Sequence, residues 1–204
     1  MTITHHLDDA TLMSFAAGAL PTALAAVAAA HIALCPRCRR EVAALERVGA
    51  ALVGDLAPAR LDRPEPPAPA SSGRNARGPK EADPLARLLG DGLDRIKWRW
   101  IGPGVWQSPV PFAGEGSLNL LRMRPGRAVP EHGHAGSELT LVLRGTLRDA
   151  TGVYHRGDVA DLDEEIAHQP HAGEDADCIC LVASEKPARF RGLLARLMQP
   201  WHGM

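Results

Sequence analysis

Apolar residues recur every three or four positions along the first fifty residues and switch to a period of two after Trp98, which predicts helices followed by strands. Residues 8–18 read as a short helix, with Asp8 or Asp9 as N-cap, Leu12, Phe15 and Ala16 on one side, and Gly18 as a stop. Pro21 suits the first position of a second helix that runs to about Leu34, with Leu24, Val27, Ala28, His31 and Ile32 along one face. Pro36 opens a third. Its series Val42, Leu45, Val48, Leu52 and Leu56 continues the face begun by Cys38.

Residues 58–84 break this pattern with Pro, Ala, Ser, Gly and Arg, and Pro64, Pro66, Pro67 and Pro69 give the segment a partly polyproline, solvated character. A fourth helix is predicted after it, capped by Asp83 and opened by Pro84, with Leu85, Leu88, Leu89 and Ile96 as its apolar face and Gly90 and Gly92 keeping it short. Further on, Leu118, Leu120 and Arg122 alternate with Asn119, Leu121 and Met123, and Pro125-Gly126 makes a turn. Residues 139–143 are a nearly continuous apolar run closed by Arg144-Gly145, and residues 178–183 read the same way. Short strands with glycine turns predict an all-β barrel or sandwich, with a last helical segment over residues 191–198. The expected architecture is therefore two domains: a small all-α helical bundle over residues 1–57, a Pro-rich linker over 58–84, and an all-β barrel with short flanking helices over 85–204. The chain is long enough for each domain to bury a core of its own.

Charge adds little, because a net charge of -1 favours neither a nucleic-acid backbone nor an anionic membrane. Aromatic residues are sparse, at 4%, which suits packed Ala/Leu helices better than a stacking surface for single strands. The first nine residues lack the basic and apolar regions of a signal peptide. Residues 19–34 are mostly alanine interrupted by Pro21, Thr22 and His31, too weakly apolar for a membrane span. A cytoplasmic address is expected, where the four cysteines are ligands or redox-responsive thiols in preference to structural disulfides.

Candidate chemistry gathers in two places. His31-x3-Cys35-x2-Cys38 puts an imidazole and two thiolates on one side of a helix or helix-to-helix turn, where they can converge on one soft cation. His5 or His6 offers a fourth ligand for zinc and would tie the N-terminus to the second helix. A structural zinc contributes on the order of 10 kcal/mol of folding free energy, which a bundle this small needs. The second place is Gly126-x5-His132-Gly-His134-x3-Glu138-x6-Gly145, followed by Gly157-x10-His168. On a strand His132 and His134 share a face, Glu138 can return to it, and His168 from a neighbouring strand completes a shell of three histidines and one carboxylate. Such a shell holds zinc, iron, manganese or nickel. His171 is an alternative to His168. Cys178 and Cys180 share a strand face and read either as small buried hydrophobes or as a redox-responsive pair.

Taken together, His6, His31, Cys35 and Cys38 followed by His132, His134, Glu138 and His168 resemble the ChrR-type zinc-binding anti-sigma factors, which join a helical zinc domain to a C-terminal cupin. The resemblance covers nearly the whole chain. It implies a non-enzymatic regulator that sequesters a sigma factor of the extracytoplasmic-function type as a 1:1 heterodimer, with no direct contact to nucleic acid or membrane. It also implies Zn2+ in the helical site, Zn2+ or another divalent transition metal in the cupin, and a cupin that responds to singlet oxygen or organic hydroperoxides by releasing sigma. Two features depart from the family: the Pro-rich linker stands where an amphipathic helix usually follows the third helix, and Asp163-Glu-Glu165 and Ala172 alter the second cupin motif around His168. A different class, a cupin dioxygenase or isomerase tethered to a zinc domain, is set against this by the absence of an evident further acid or base. A DNA-binding regulator would rest on Arg37, Arg39 and Arg40 alone, without a helix-turn-helix pattern.

Overall fold

The computed structural model describes residues 2–54, 56–57, 92–93, 96–133, 135–163, 166–186 and, for the backbone, 189–190. The expected linker over 58–84, nearly all of the fourth helix and the final helix over 191–198 lie outside the described residues.

Among the described residues three helices come first: α1 (Asp9–Ala16), α2 (Thr22–Leu34) and α3 (Pro36–Gly54). Asp8 caps α1 by accepting the Thr11 N–H at 2.6 Å, and Gly18, at φ 68°, ends the turn that follows. Pro21 stands one place earlier than expected, at the N-cap, because its ψ of 143° is extended. Cys35 separates α2 from α3 in an extended conformation, since the ring of Pro36 excludes the helical region for the residue before it. That break turns the chain so that the second cysteine of the pair faces back toward His31.

Among the described residues eleven strands follow: β1 (Arg99–Gly102), β2 (Val105–Pro109), β3 (Ser117–Met123), β4 (His132–Gly133), β5 (Glu138–Arg144), β6 (Thr146–Arg148), β7 (Val153–His155), β8 (Val159–Leu162), β9 (His171–Ala172), β10 (Cys178–Ser184) and β11 (Arg189–Phe190). A six-stranded sheet runs β1-β2-β3-β10-β5-β8, its neighbours antiparallel. A three-stranded sheet, β7-β6-β9, packs across from it, and β4 pairs with β11. Among the described residues the hydrogen bonding stays in separate sheets and does not close into the barrel that the sequence predicts.

The central strands are buried on both sides, which explains their nearly continuous apolar sequences. Leu139 and Leu141 of β5, with Leu118, Leu120 and Leu181 of the adjoining strands, face outward to Leu24, Val27 and Ala28 of α2. Val142, Leu121, Met123, Cys178 and Cys180 face inward to Leu147, Tyr154 and Ala172 of the smaller sheet. The helices therefore do not bury a core of their own as expected; α2, apolar nearly all round, is shared between α1, α3 and the sheet. The apolar series of α3 also ends early. Val42 is buried and Leu45 partly so, but Val48, Leu52 and Leu56 are 59%, 67% and 69% exposed, because this part of the chain runs beyond the surface that α1 and α2 present.

Candidate metal centres

The first centre forms where the N-terminal arm crosses the α2–α3 junction. His6, His31, Cys35 and Cys38 each bring one ligand atom within 4.8 Å of the others, and all but His6 are buried. His6 Nδ1 lies 3.3 Å from Cys35 Sγ and 3.8 Å from Cys38 Sγ. His31 Nδ1 donates to the Gly157 carbonyl at 3.0 Å, which turns Nε2 and its lone pair toward Cys38 Sγ at 3.3 Å. His5 is placed elsewhere, against the Tyr154 ring and 3.5 Å from Asp158 Oδ2, so the arm presents His6 to the cluster.

The electrostatics of this centre follow from its burial. Burial pushes the Cys38 thiol up to about 12 and pulls His31 down to about 4, so without a cation the pocket favours uncharged donors. Two thiols and two imidazoles are the donor set that zinc takes tetrahedrally, and a bound divalent cation would hold the thiolates ionised. The residues fit the metal that their sequence spacing suggests.

The second centre lies inside the β domain. His132 and His168 face each other across an isolated antiparallel bridge, with Nε2 atoms 3.2 Å apart, and His168 Nε2 is 3.6 Å from Glu138 Oε1. His132 Nδ1 donates to the Pro130 carbonyl at 2.9 Å and His168 Nδ1 donates to Asp149 Oδ2 at 2.9 Å. Both bonds leave Nε2 as the lone-pair nitrogen. Two imidazole lone pairs and a carboxylate thus converge, an arrangement that a divalent cation would relieve. Burial pulls His132 down to about 4 and pushes the Glu138 carboxyl up, with Ser184 donating to Glu138 Oε2 at 3.0 Å and Thr140 donating to Oε1 at 3.3 Å. A cavity of about 50 Å³ adjoins the cluster and is bordered by Gln107, Asn119 and Cys180, more room than the roughly 10–15 Å³ that one water requires.

His134 lies outside the described residues. His171 is not part of the cluster; its Nδ1 donates to the Gln169 carbonyl at 2.7 Å at the edge of the smaller sheet. Cys178 and Cys180 are buried free thiols with sulfurs 3.6 Å apart, and the contact between them, together with burial, pushes the Cys180 thiol up.

Two carboxylates escape the sequence reading. Burial alone would raise Asp149, but donors from His168 and Thr151 outweigh it and bring the group down to about 2. It therefore holds His168 in one tautomer and one orientation. Asp149→Asn is expected to weaken metal retention at the second centre by roughly 10–100-fold, measured by competition with a chromophoric chelator, while the first centre keeps its metal. The other is Asp158, which contacts the N-terminal arm. The local Asp149-x-Thr151-Gly152 turn is the only sequence trace of the first of these roles.

Residues 92–187 match the family described as the ChrR Cupin-like domain. The anti-sigma-E factor ChrR of Cereibacter sphaeroides is 43% identical over 214 residues, covering 98% of this chain and 99% of that protein. In the crystal structure of Rhodobacter sphaeroides SigE in complex with the anti-sigma ChrR, a chain 41% identical in sequence matches with a TM-score of 0.77, over 90% of this chain and 99% of its own. The chain belongs to the family of the anti-sigma-E factor ChrR.

Proposed function

We propose that this protein is a cytoplasmic anti-sigma factor that sequesters a sigma factor of the extracytoplasmic-function type in a 1:1 complex, acting as a negative regulator of transcription and not as an enzyme. The observation that carries the reading is the likeness, over nearly the full length of both chains, to an anti-sigma factor crystallised with its sigma factor. The exposed apolar positions Val48 and Leu52 of α3, and Leu56 beyond its end, support it, since a partner helix would cover them. Among the described residues no helix is long and apolar enough to cross a membrane.

In this reading residues 1–57 are a zinc-bound helical domain with His6, His31, Cys35 and Cys38 as ligands, residues 58–84 a linker, and residues 85–204 a cupin whose metal is held by His132, His134, Glu138 and His168. The helical zinc is structural, and the second metal is zinc or another divalent transition ion. When bound, the second ion would hold these ligands together as a Lewis-acidic centre beside Cys180 and the cavity. Singlet oxygen or an organic hydroperoxide oxidises a side chain of the ligand shell or the Cys178 and Cys180 thiols, which shifts the β domain against the helices and releases sigma. Release requires that the altered state bind sigma less tightly than the resting one, by about 1.4 kcal/mol for each tenfold loss of affinity.

Co-expression with a candidate sigma factor, followed by pull-down and metal analysis, tests the proposal. A co-eluting 1:1 complex that contains zinc is expected, and failure to co-purify with any such sigma factor would overturn it.

A further inference from the structure

The turn between β7 and β8 holds two adjacent residues that both engage the N-terminal segment. The Gly157 carbonyl accepts from His31 Nδ1 at 3.0 Å. Next to it, Asp158 is 1% exposed and its carboxylate is filled by donors. Oδ1 accepts the backbone N–H groups of Thr4 at 2.7 Å and His5 at 3.0 Å, and Oδ2 accepts the Thr4 hydroxyl at 3.2 Å and the His155 N–H at 2.8 Å. Burial opposes this charge, but the backbone donors of His155, His5 and Thr4 keep the carboxyl below its ordinary value. Gly157 adopts φ 93°, and Ile3 packs so close that an added Cβ would meet Ile3 Cγ1 at 3.0 Å. Further along, Asp161 Oδ2 accepts the Asp8 N–H at 3.0 Å. His6 thus sits on a short arm pinned on both sides by residues of one turn and one strand.

We propose that the Gly157–Asp158 turn is the positioning element of the first metal centre, so that the grip on that metal depends on the β domain being docked. The inference rests on reading His6, His31, Cys35 and Cys38 as a metal site. The Cys-x2-Cys pair is set locally by the α2–α3 junction, but the other two ligands are not. His31 takes its ring orientation from the Gly157 carbonyl, and His6 takes its reach from the arm that Asp158 holds. Outer partners of this kind fix ligand geometry, and their loss commonly weakens metal affinity about 10–100-fold. The turn itself is fastened to β5, where the Gly157 N–H donates to the Val142 carbonyl at 2.8 Å and the Val142 N–H donates to the Asp158 carbonyl at 3.0 Å. Glu138 of the second centre lies on that same strand, so displacement of β5 is felt at both centres.

Cobalt substitution of the full chain provides the test, because thiolate-to-cobalt charge transfer reports the Cys35 and Cys38 ligation without any partner protein. Asp158→Asn removes the carboxylate, and Thr4→Pro deletes the N–H that it binds while leaving every residue of the β domain unchanged. Both variants are expected to surrender first-centre metal to a chelator about 10–100-fold more readily and to show altered charge-transfer bands. Thr4→Pro keeps the test decisive where Asp158→Asn disturbs folding of the turn. Native bands and native exchange in Thr4→Pro would overturn the positioning role and leave the metal site standing. Absence of thiolate bands in the unsubstituted chain would overturn the site reading as well.

Discussion

Replacing Cys35 or Cys38 with alanine is expected to cost the helical segment its metal and most of its structure, and with them the capture of sigma. The magnitude follows from what else holds these helices. Much of the buried surface of α2 is alanine, which contributes little area at about 25 cal/mol per Å². A structural zinc supplies on the order of 10 kcal/mol, comparable with the roughly 5–15 kcal/mol net stability of a whole domain. Metal analysis, far-ultraviolet circular dichroism and sigma pull-down on the same preparation measure the outcome. Loss of first-centre zinc, reduced helicity and at least a 100-fold drop in capture are expected. A variant that sequestered sigma at full affinity with that zinc absent would remove the structural role of the site.

The second large effect separates binding from folding. Val48→Asp combined with Leu52→Asp changes two exposed positions one helical turn apart on α3, so metal content and thermal midpoint are expected to stay near those of the unsubstituted chain. The proposed sigma contact buries those side chains. Withdrawing two apolar side chains, each worth roughly 1.5–3 kcal/mol when buried, lowers affinity by at least about 100-fold. Fluorescence anisotropy with labelled sigma reads this directly. Unchanged affinity would move the sigma contact off α3.

The parts of this molecule that the sequence makes legible are those decided by neighbours within a few residues. His31, Cys35 and Cys38 lie within eight positions, and Pro36 dictates the bend that brings them together. His132, Glu138 and His168 were visible because glycine turns and strand alternation place them on one inward face. What stayed hidden depends on distant partners. Asp158 meets the N-terminal arm across 154 positions, and alone it reads as a surface turn carboxylate. Asp149 meets His168 across 19. The exposure of the end of α3 is hidden for a related reason: helical periodicity identifies an apolar face but not whether this chain or another protein covers it. The shared core of α2 and the sheet was hidden as well, since the Ala-rich face of α2 fits a helix neighbour and a sheet equally.

That shared core bears on how the protein is made. The contacts among α1, α2 and α3 and the placing of the Cys35 and Cys38 pair are local, so they can form as soon as residue 54 has left the ribosome. The sheet-facing side of α2, including Leu24 and Val27, instead waits for β10, which ends about 150 residues after α2 does. At roughly 5–20 residues per second, that interval is on the order of ten seconds. During it, the nascent chain carries a helical bundle with one apolar side uncovered, and the sheet that eventually covers that side brings the Gly157–Asp158 turn into contact with the arm at the same moment.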